Sequence, residues 1–385
     1  MDNLKAFLLF VSIVLLVYGG TNYYIYRRLM SAAALSGSNY WILKIVFLLI
    51  VLSYPLGRTL GGQNPFGQTF IWVGSFYLAV MFYGLLFALF FDILRLSDRL
   101  IGWFPTIVTS DLVRAGRISL IFSTIVIAGL ITYGHINSQI LRVKEFKISL
   151  PNFKPMDEQL RIAVVSDVHL GALIGEKRFN KMLSAITETN PDLILIVGDL
   201  FDEHPSHMPW VANALKRFEA SRGVILAVGN HEYYSDLKAI SNIVNRTGIR
   251  ILRDQYEEID GLIIAAFDDQ TGNKQFSKRK VPLTEILENV DRDKPTILLH
   301  HTPTRWEEAL SYGVDLAIFA HTHGGQILPL GWITKLIYGF PQGMSIRENT
   351  TFILSNGIGT WGPPVRIGAN PEIVLLIVDG ERKYD

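Results

Sequence analysis

Cysteine is absent from this chain, so there is no disulfide framework and no thiolate to hold a metal. Any metal site must therefore use oxygen and nitrogen ligands. Net charge is nearly absent too. Lys and Arg (36) balance Asp and Glu (35) to +1, which supplies no positive excess for nucleic acid, and none is expected as a partner. Internal repeats and low-complexity tracts are missing. What the chain has in quantity is apolar sequence. A 49% hydrophobic content is high for a fully soluble protein, and 385 residues is long for one ordinary domain. Two unlike halves are expected.

The first half holds four apolar runs. Ala6–Tyr26 contains no Asp, Glu, Lys or Arg and has the roughly 20 residues that cross a hydrocarbon core. Its length, and the Arg pair that follows it, favour a retained helix over a cleaved leader. Trp41–Leu60 is the second run, with Lys44 near its start, where a long side chain can reach the interface. Gly61–Pro65 breaks the chain before the third, Thr69–Phe91. Leu94–Arg117 reads as amphipathic, with Trp103-Phe104-Pro105 as an interfacial anchor, and Ile118–Tyr133 is the fourth run. None has an ionisable residue at its centre, which argues for an anchor and against an ion pathway. Arg27, Arg28, Lys44, Arg95, Arg99, Arg114 and Arg117 flank one side, against Lys5 and Arg58 on the other; Arg142, Lys144, Lys147 and Lys154 would raise the second count to six, but they lead into a large domain, where the rule is weakest. The positive-inside rule then places both termini, and the second half, outside the cytoplasm.

The second half is organised around Arg161–Asp202. Two apolar runs, Ile162–Val165 and Leu193–Val197, each end in acidic residues with a helical segment between them. Strand, loop, helix, strand is the reading, with carboxylates at strand ends, where open α/β sheets carry ligands. Asp167 and His169 alternate across Val168 and can face one side. Asp199 follows Gly198, where the backbone can turn sharply. Such a D-x-H pair alone is weak, since Asp often caps a helix and His often makes a surface hydrogen bond. Three more strand-like runs follow, however. Val224–Val228 ends in Gly229-Asn230-His231-Glu232, Thr296–Leu299 in His300-His301-Thr302-Pro303, and Leu316–Ala320 in His321-Thr322-His323-Gly324. Hard oxygen plus imidazole nitrogen suits Mn²⁺, Fe or Zn²⁺ better than Ca²⁺.

This ordered set (D-x-H, G-D-x-x-D, G-N-H-E, H, and H-x-H) resembles the calcineurin-like metallophosphoesterase superfamily. Ser355–Val378 and the H-T-H-G-G-Q run resemble its membrane-anchored YkuE-like branch; Ala320 stands where a glycine is usual. The resemblance implies a two-sheet αββα sandwich after a four-helix transmembrane region, with 1–138 as anchor, 139–160 as linker and edge strand, and 161–385 as the phosphoesterase domain. It also implies two divalent or transition-metal ions (Mn, Fe or Zn) bridged by Asp199. Asp167, His169 and His323 would complete one ion's protein ligands, and Asn230, His301 and His321 the other's. His301 is preferred to His300 because its H-x-P context matches and strand alternation turns His300 away. His231 would protonate the leaving group or bind developing charge, oriented by Asp202.

A phosphomonoester or phosphodiester, free or lipid-linked, is the implied substrate, and the bilayer the implied partner. Cleavage of a UDP-linked acylated glucosamine would need a cytoplasmic face. A non-catalytic metal sensor is the reading from another class, and the intact ligand set argues against it. Arg366 is read as an anion contact or a surface charge, His204 and His207 as rim contacts, and Asp268-Asp269 as a solvated turn. Val143–Leu150 is predicted as an edge strand, Gly261–Phe267 as a further strand, and Met208–Ala220, Ser235–Asn245 and Val281–Val290 as helices.

Overall fold

The computed structural model describes residues 2–153, 159–270 and 281–380, with the backbone alone at 2–8, 10 and 11. The chain divides into two compact units, Met1–Gly134 and His135–Asp385. Within the predicted linker and edge strand 139–160, residues 154–158 lie outside the described residues.

Long helices make up the first unit: α1 (Asp2–Ala33), α2 (Gly37–Leu60), α3 (Pro65–Ile101) and α5 (Leu112–Ser138), with the single turn α4 (Thr106–Thr109) between the last two. Three of these, α2, α3 and α5, are long and apolar enough to cross a membrane. The start of the first predicted span, whose side chains at 6–8, 10 and 11 are outside the described residues, leaves the count of four as an expectation. Small residues let α2 and α3 approach closely: a Cβ on Gly74 would overlap the Tyr54 backbone, and one on Gly57 the Ile71 backbone. The Leu94–Arg117 stretch is not one amphipathic segment. The third helix runs on to Ile101 and stops at Gly102, whose left-handed φ of 62° ends it as a C-cap glycine does.

Two six-stranded mixed sheets form the second unit. One has the order β1-β12-β2-β3-β4-β5, from Arg142–Leu150, Glu372–Gly380, Leu160–Val165, Leu193–Val197, Val224–Ala227 and Ile249–Leu252. The other is β10-β11-β9-β8-β7-β6, from Gly343–Arg347, Thr350–Leu354, Leu316–Phe319, Thr296–Leu299, Leu262–Ala266 and Gln255–Ile259. Strand alternation builds three apolar layers. Ile162 and Val164 face the second sheet, in a core shared with Ile297 and Ile318. Their neighbours Ala163 and Val165 face the helix layer of α6 (Glu176–Thr187) and α9 (Leu237–Val244), against Phe179 and Ile240. On the outer side of the second sheet, Phe319 and Phe352 pack with Ala309 of α11 (Trp306–Tyr312). The layering is helix, sheet, sheet, helix.

Several predicted elements are shorter than expected. Only Val211–Leu215 of Met208–Ala220 is helical (α7), because a proline-led turn at Pro205–His207 precedes it and tight turns at Phe218 and Gly223 follow. Of Val281–Val290, Leu283–Ile286 is helical (α10), after which the backbone bonds tighten to three-residue spacing. Asp236 starts α9 by accepting from the amides of Lys238 and Ala239.

Candidate metal centre

Parallel strands β2, β3, β4, β8 and β9 all run into loops that carry the singled-out residues. The loops after β2 and β3 continue the ladder beyond the strands, through Asp167 N to Gly198 O (3.1 Å) and His169 N to Asp199 O (3.0 Å). Left-handed backbone concentrates here. Asp167, His169, Asp199, His321 and His323 have φ of 51°, 54°, 54°, 69° and 50°, a conformation that disfavours side chains. Glycines make the close approaches. A Cβ on Gly198 would overlap the His301 ring, and one on Gly229 the Asp199 carboxylate.

Two groups of ligand atoms converge. In one, His169 Nε2 lies 3.0 Å from His323 Nε2, which is 3.4 Å from Asp167 Oδ1. In the other, His301 Nε2 lies 3.0 Å from Asp199 Oδ2 and 3.3 Å from His321 Nδ1. Asp199 Oδ2 is also 3.8 Å from His169 Nε2, so it reaches both groups. Ligands bonded at about 2.1 Å to one ion stand roughly 3–3.5 Å apart, the spacing found here.

The donor set fits divalent metal on two further counts. Both oxygens of Asp167 and Oδ1 of Asn230 are buried with no hydrogen-bond partner among the described residues, a costly condition that a cation relieves. His301 Nδ1 donates to Val197 O at 2.8 Å, which turns its Nε2 toward Asp199. Burial resists a charge on His301, yet Asp199 and Asp167 push its pKa up to about 10, so the pocket carries negative charge in want of a cation. Burial, then the neighbouring His301, lowers the pKa of His321; burial, then Arg366, lowers that of His323. Both rings are thus held neutral, as metal ligands must be.

His231 stands beside these groups at the start of α8 (Asn230–Tyr234). Its Nδ1 is 2.8 Å from Asp202 Oδ1, and its amide donates to Asp199 Oδ1 at 2.9 Å. Burial opposes the imidazolium, but the hydrogen bond to Asp202 and the charge of Asp199 raise its pKa above the ordinary value. Asp202 is held below its ordinary value because hydrogen bonds from His169 and His231 outweigh burial. Exposed Tyr234 and Trp361 place their rings edge-on to His231, with centroids at 5.5 and 5.6 Å.

Other expected residues lie elsewhere or do something else. His300 points away from the cluster, edge-on to Phe267 at 5.4 Å, and burial drives its pKa down to about 3. His204 and His207 form a half-exposed pair whose nearest carboxylates are Asp236 and Glu203, apart from the converging ligands. Asp268-Asp269 is not a solvated turn. Both are buried because each has donors: Tyr233 and Arg253 for Asp268, Thr302 for Asp269.

Arg366 is neither a surface charge nor an open anion contact. Fully buried, it donates to the carbonyls of His323 (2.9 Å), Asn356 (2.7 Å), Gly357 (3.2 Å) and Gly359 (3.1 and 2.6 Å), tying the H-x-H loop to the C-terminal segment. Glu232 was visible only as the last letter of G-N-H-E. Its carboxylate accepts from the amides of Asp199, Leu200, Phe201 and Gly229, at 2.7–3.1 Å, and so fixes the Asp199 loop.

Comparison with known proteins finds matches in one family. Residues 160–325 match the family model for calcineurin-like phosphoesterases. An uncharacterized metallophosphoesterase of Campylobacter jejuni is 31% identical over 388 residues, spanning 98% of this chain and 100% of the relative. A transmembrane protein with metallophosphoesterase domain from Danio rerio is 28% identical over 271 residues, 67% of this chain and 62% of the relative. The uncharacterized metallophosphoesterase YkuE of Bacillus subtilis is 30% identical over 229 residues, 56% of this chain and 78% of the relative.

Proposed function

This chain belongs to the calcineurin-like metallophosphoesterase family, and on that basis we propose that its second unit hydrolyses a phosphomonoester or phosphodiester with two divalent ions, while its apolar helices keep it in a membrane. The observation that carries the proposal is the pair of ligand groups sharing Asp199, with the unpartnered Asp167 and Asn230 oxygens beside them. Asp167, His169 and His323 would hold one ion and Asn230, His301 and His321 the other, with Asp199 reaching both groups. The bound ions would neutralise the phosphate oxygens and lower the pKa of an attacking water.

This chain's own residues supply the rest. His231, its Nδ1 held by Asp202, keeps a proton on Nε2 for the leaving oxygen. The neutral Asn230 carboxamide adds a ligand without adding negative charge near the phosphate. Hydrolysis of p-nitrophenyl phosphate or its bis ester by the detergent-solubilised protein, present with Mn²⁺ and abolished by chelator, tests the reading. No hydrolysis of either ester with Mn²⁺, Fe²⁺ or Zn²⁺ would overturn it.

We also infer that this unit lies outside the cytoplasm, from the Arg and Lys residues flanking the apolar helices. A reporter active only outside the cytoplasm should work when fused after Asp385 and fail within Ser97–Arg117. The reverse pattern would put the site on the cytoplasmic face.

A further inference from the structure

The nine-residue helix α12 (Leu330–Tyr338) follows directly on the H-x-H loop, and none of its residues is buried. Trp332, Ile333, Leu336 and Ile337 are 75%, 48%, 85% and 67% exposed. At positions i, i+1, i+4 and i+5 they share one face, so the helix turns its apolar stripe outward, the reverse of a soluble domain's habit. It is nonetheless held firmly. Gly331 packs on Gly325 so closely that a Cβ there would overlap it. The ring of Tyr338 stands edge-on to His321, with centroids 6.4 Å apart, and Gln342 donates to Gly324 O. The outward stripe is therefore fixed to the loop that carries two metal-ligand candidates.

We propose that α12 lies in the interface of a lipid bilayer, and that the phosphoester this unit cleaves is carried on a membrane lipid. The second half of the statement rests on the phosphoesterase reading above. Three observations select a bilayer as the occupant. Among the described residues the chain has three helices long and apolar enough to cross a membrane, and the last of them ends at Ser138, four residues before the first strand of this unit, so a short connection tethers the unit to a membrane-length helix. Trp, Ile and Leu on one face with Lys335 beside them is the composition of an interfacial helix. A helix of nine residues is about 14 Å long and its face falls short of the roughly 800 Å² per partner that a stable dimer buries. Trp361, exposed beside His231, is tied to the same loop, since Gln326 donates to its carbonyl at 2.9 Å and accepts from its amide at 3.0 Å. Lipid contact and proton donor are thus organised by one segment.

Because the chain has no cysteine, a spin label on Leu336→Cys reports from one place. In the full-length protein reconstituted into nanodiscs, that label should be relaxed by oxygen and shielded from a water-soluble nickel chelate. A label on Lys216→Cys should show the reverse. Exposure of Leu336→Cys to nickel overturns the proposal, as does spin–spin broadening, which would mark a second copy on the face.

For the substrate, vesicles carrying phosphatidic acid and phosphatidylglycerol are the probe. The Trp332→Ser/Leu336→Ser double variant should lose at least about tenfold in kcat/KM on the vesicles. It should hydrolyse soluble p-nitrophenyl phosphate as before. Hydrolysis of neither lipid by the unaltered protein, or equal losses on both kinds of substrate, overturns the assignment. If the unaltered protein cleaves no ester at all, the phosphoesterase reading fails, and the label still decides where α12 lies.

Discussion

Replacing Arg366 by Lys keeps the charge and removes the geometry, which makes it a direct test of how the H-x-H loop is held. The guanidinium makes five hydrogen bonds to four buried carbonyls. An ammonium has three donors on a single atom, so at least two of those bonds are lost and the carbonyls are left dry. At roughly 1.5–3 kcal/mol for each bond to a charged donor, the loss is about 3–6 kcal/mol. For a domain of this size about 2–4 °C is lost per kcal/mol, which gives a fall in Tm of roughly 6–24 °C.

Burial already pushes the arginine down to about 10, so the cation is retained at neutral pH and the effect is one of geometry. Near-UV circular dichroism of the full chain in detergent reads the unfolding, and elemental analysis reads Mn²⁺ at saturation. Metal affinity should fall as well, because the His323 carbonyl is one of the four acceptors. A Tm within 2 °C of the unaltered protein, with unchanged metal content, would show that Arg366 does not hold this loop.

Three other substitutions separate the roles of the site. Asp199→Asn should lose both ions by elemental analysis, since its carboxylate reaches both ligand groups; normal metal content would exclude it as the bridge. His231→Ala should keep its metal and lose about 10²–10⁴-fold in turnover, with the loss shrinking for good leaving groups such as p-nitrophenol. Equal losses across leaving groups would make His231 an electrostatic stabiliser instead. His300→Phe concerns acid stability. Burial holds the folded-state pKa at about 3, below the unfolded value near 6.5, so the unfolded chain takes up the proton first. Stability from this group is present above pH 6.5 and lost as pH falls toward 3, at up to about 1.4 kcal/mol per pH unit. Urea midpoints at pH 7 and pH 4.5 should therefore differ less in the variant than in the parent; identical differences would clear His300 of the effect.

The amino-acid sequence alone determined the division into an apolar first half and an α/β second half, because twenty-residue apolar runs and strand-length runs are local patterns. It also pointed to the seven candidate ligands, since each sits within a few residues of the end of one of five strands, where the ordered motifs of the resemblance are legible one at a time. The H-x-P context of the resemblance and alternation beyond β8 together favoured His301 over His300, and the structure turns the His300 ring toward Phe267. What only the tertiary structure decided were properties of pairs distant in sequence. The buried state of Asp268 and Asp269 depends on donors from Tyr233, Arg253 and Thr302, none of which a turn-like Asp-Asp announces. Arg366 looks like a surface charge in a Gly/Pro-rich loop until the carbonyls of His323 and Asn356 are brought around it. The outward apolar face of α12 was hidden for the same reason. Its sequence is that of a core helix, and only the packing of Gly331 on Gly325 shows that its stripe is turned away from the core. Local pattern fixes which residues can bury or bind, and the meeting of remote segments settles which of them do.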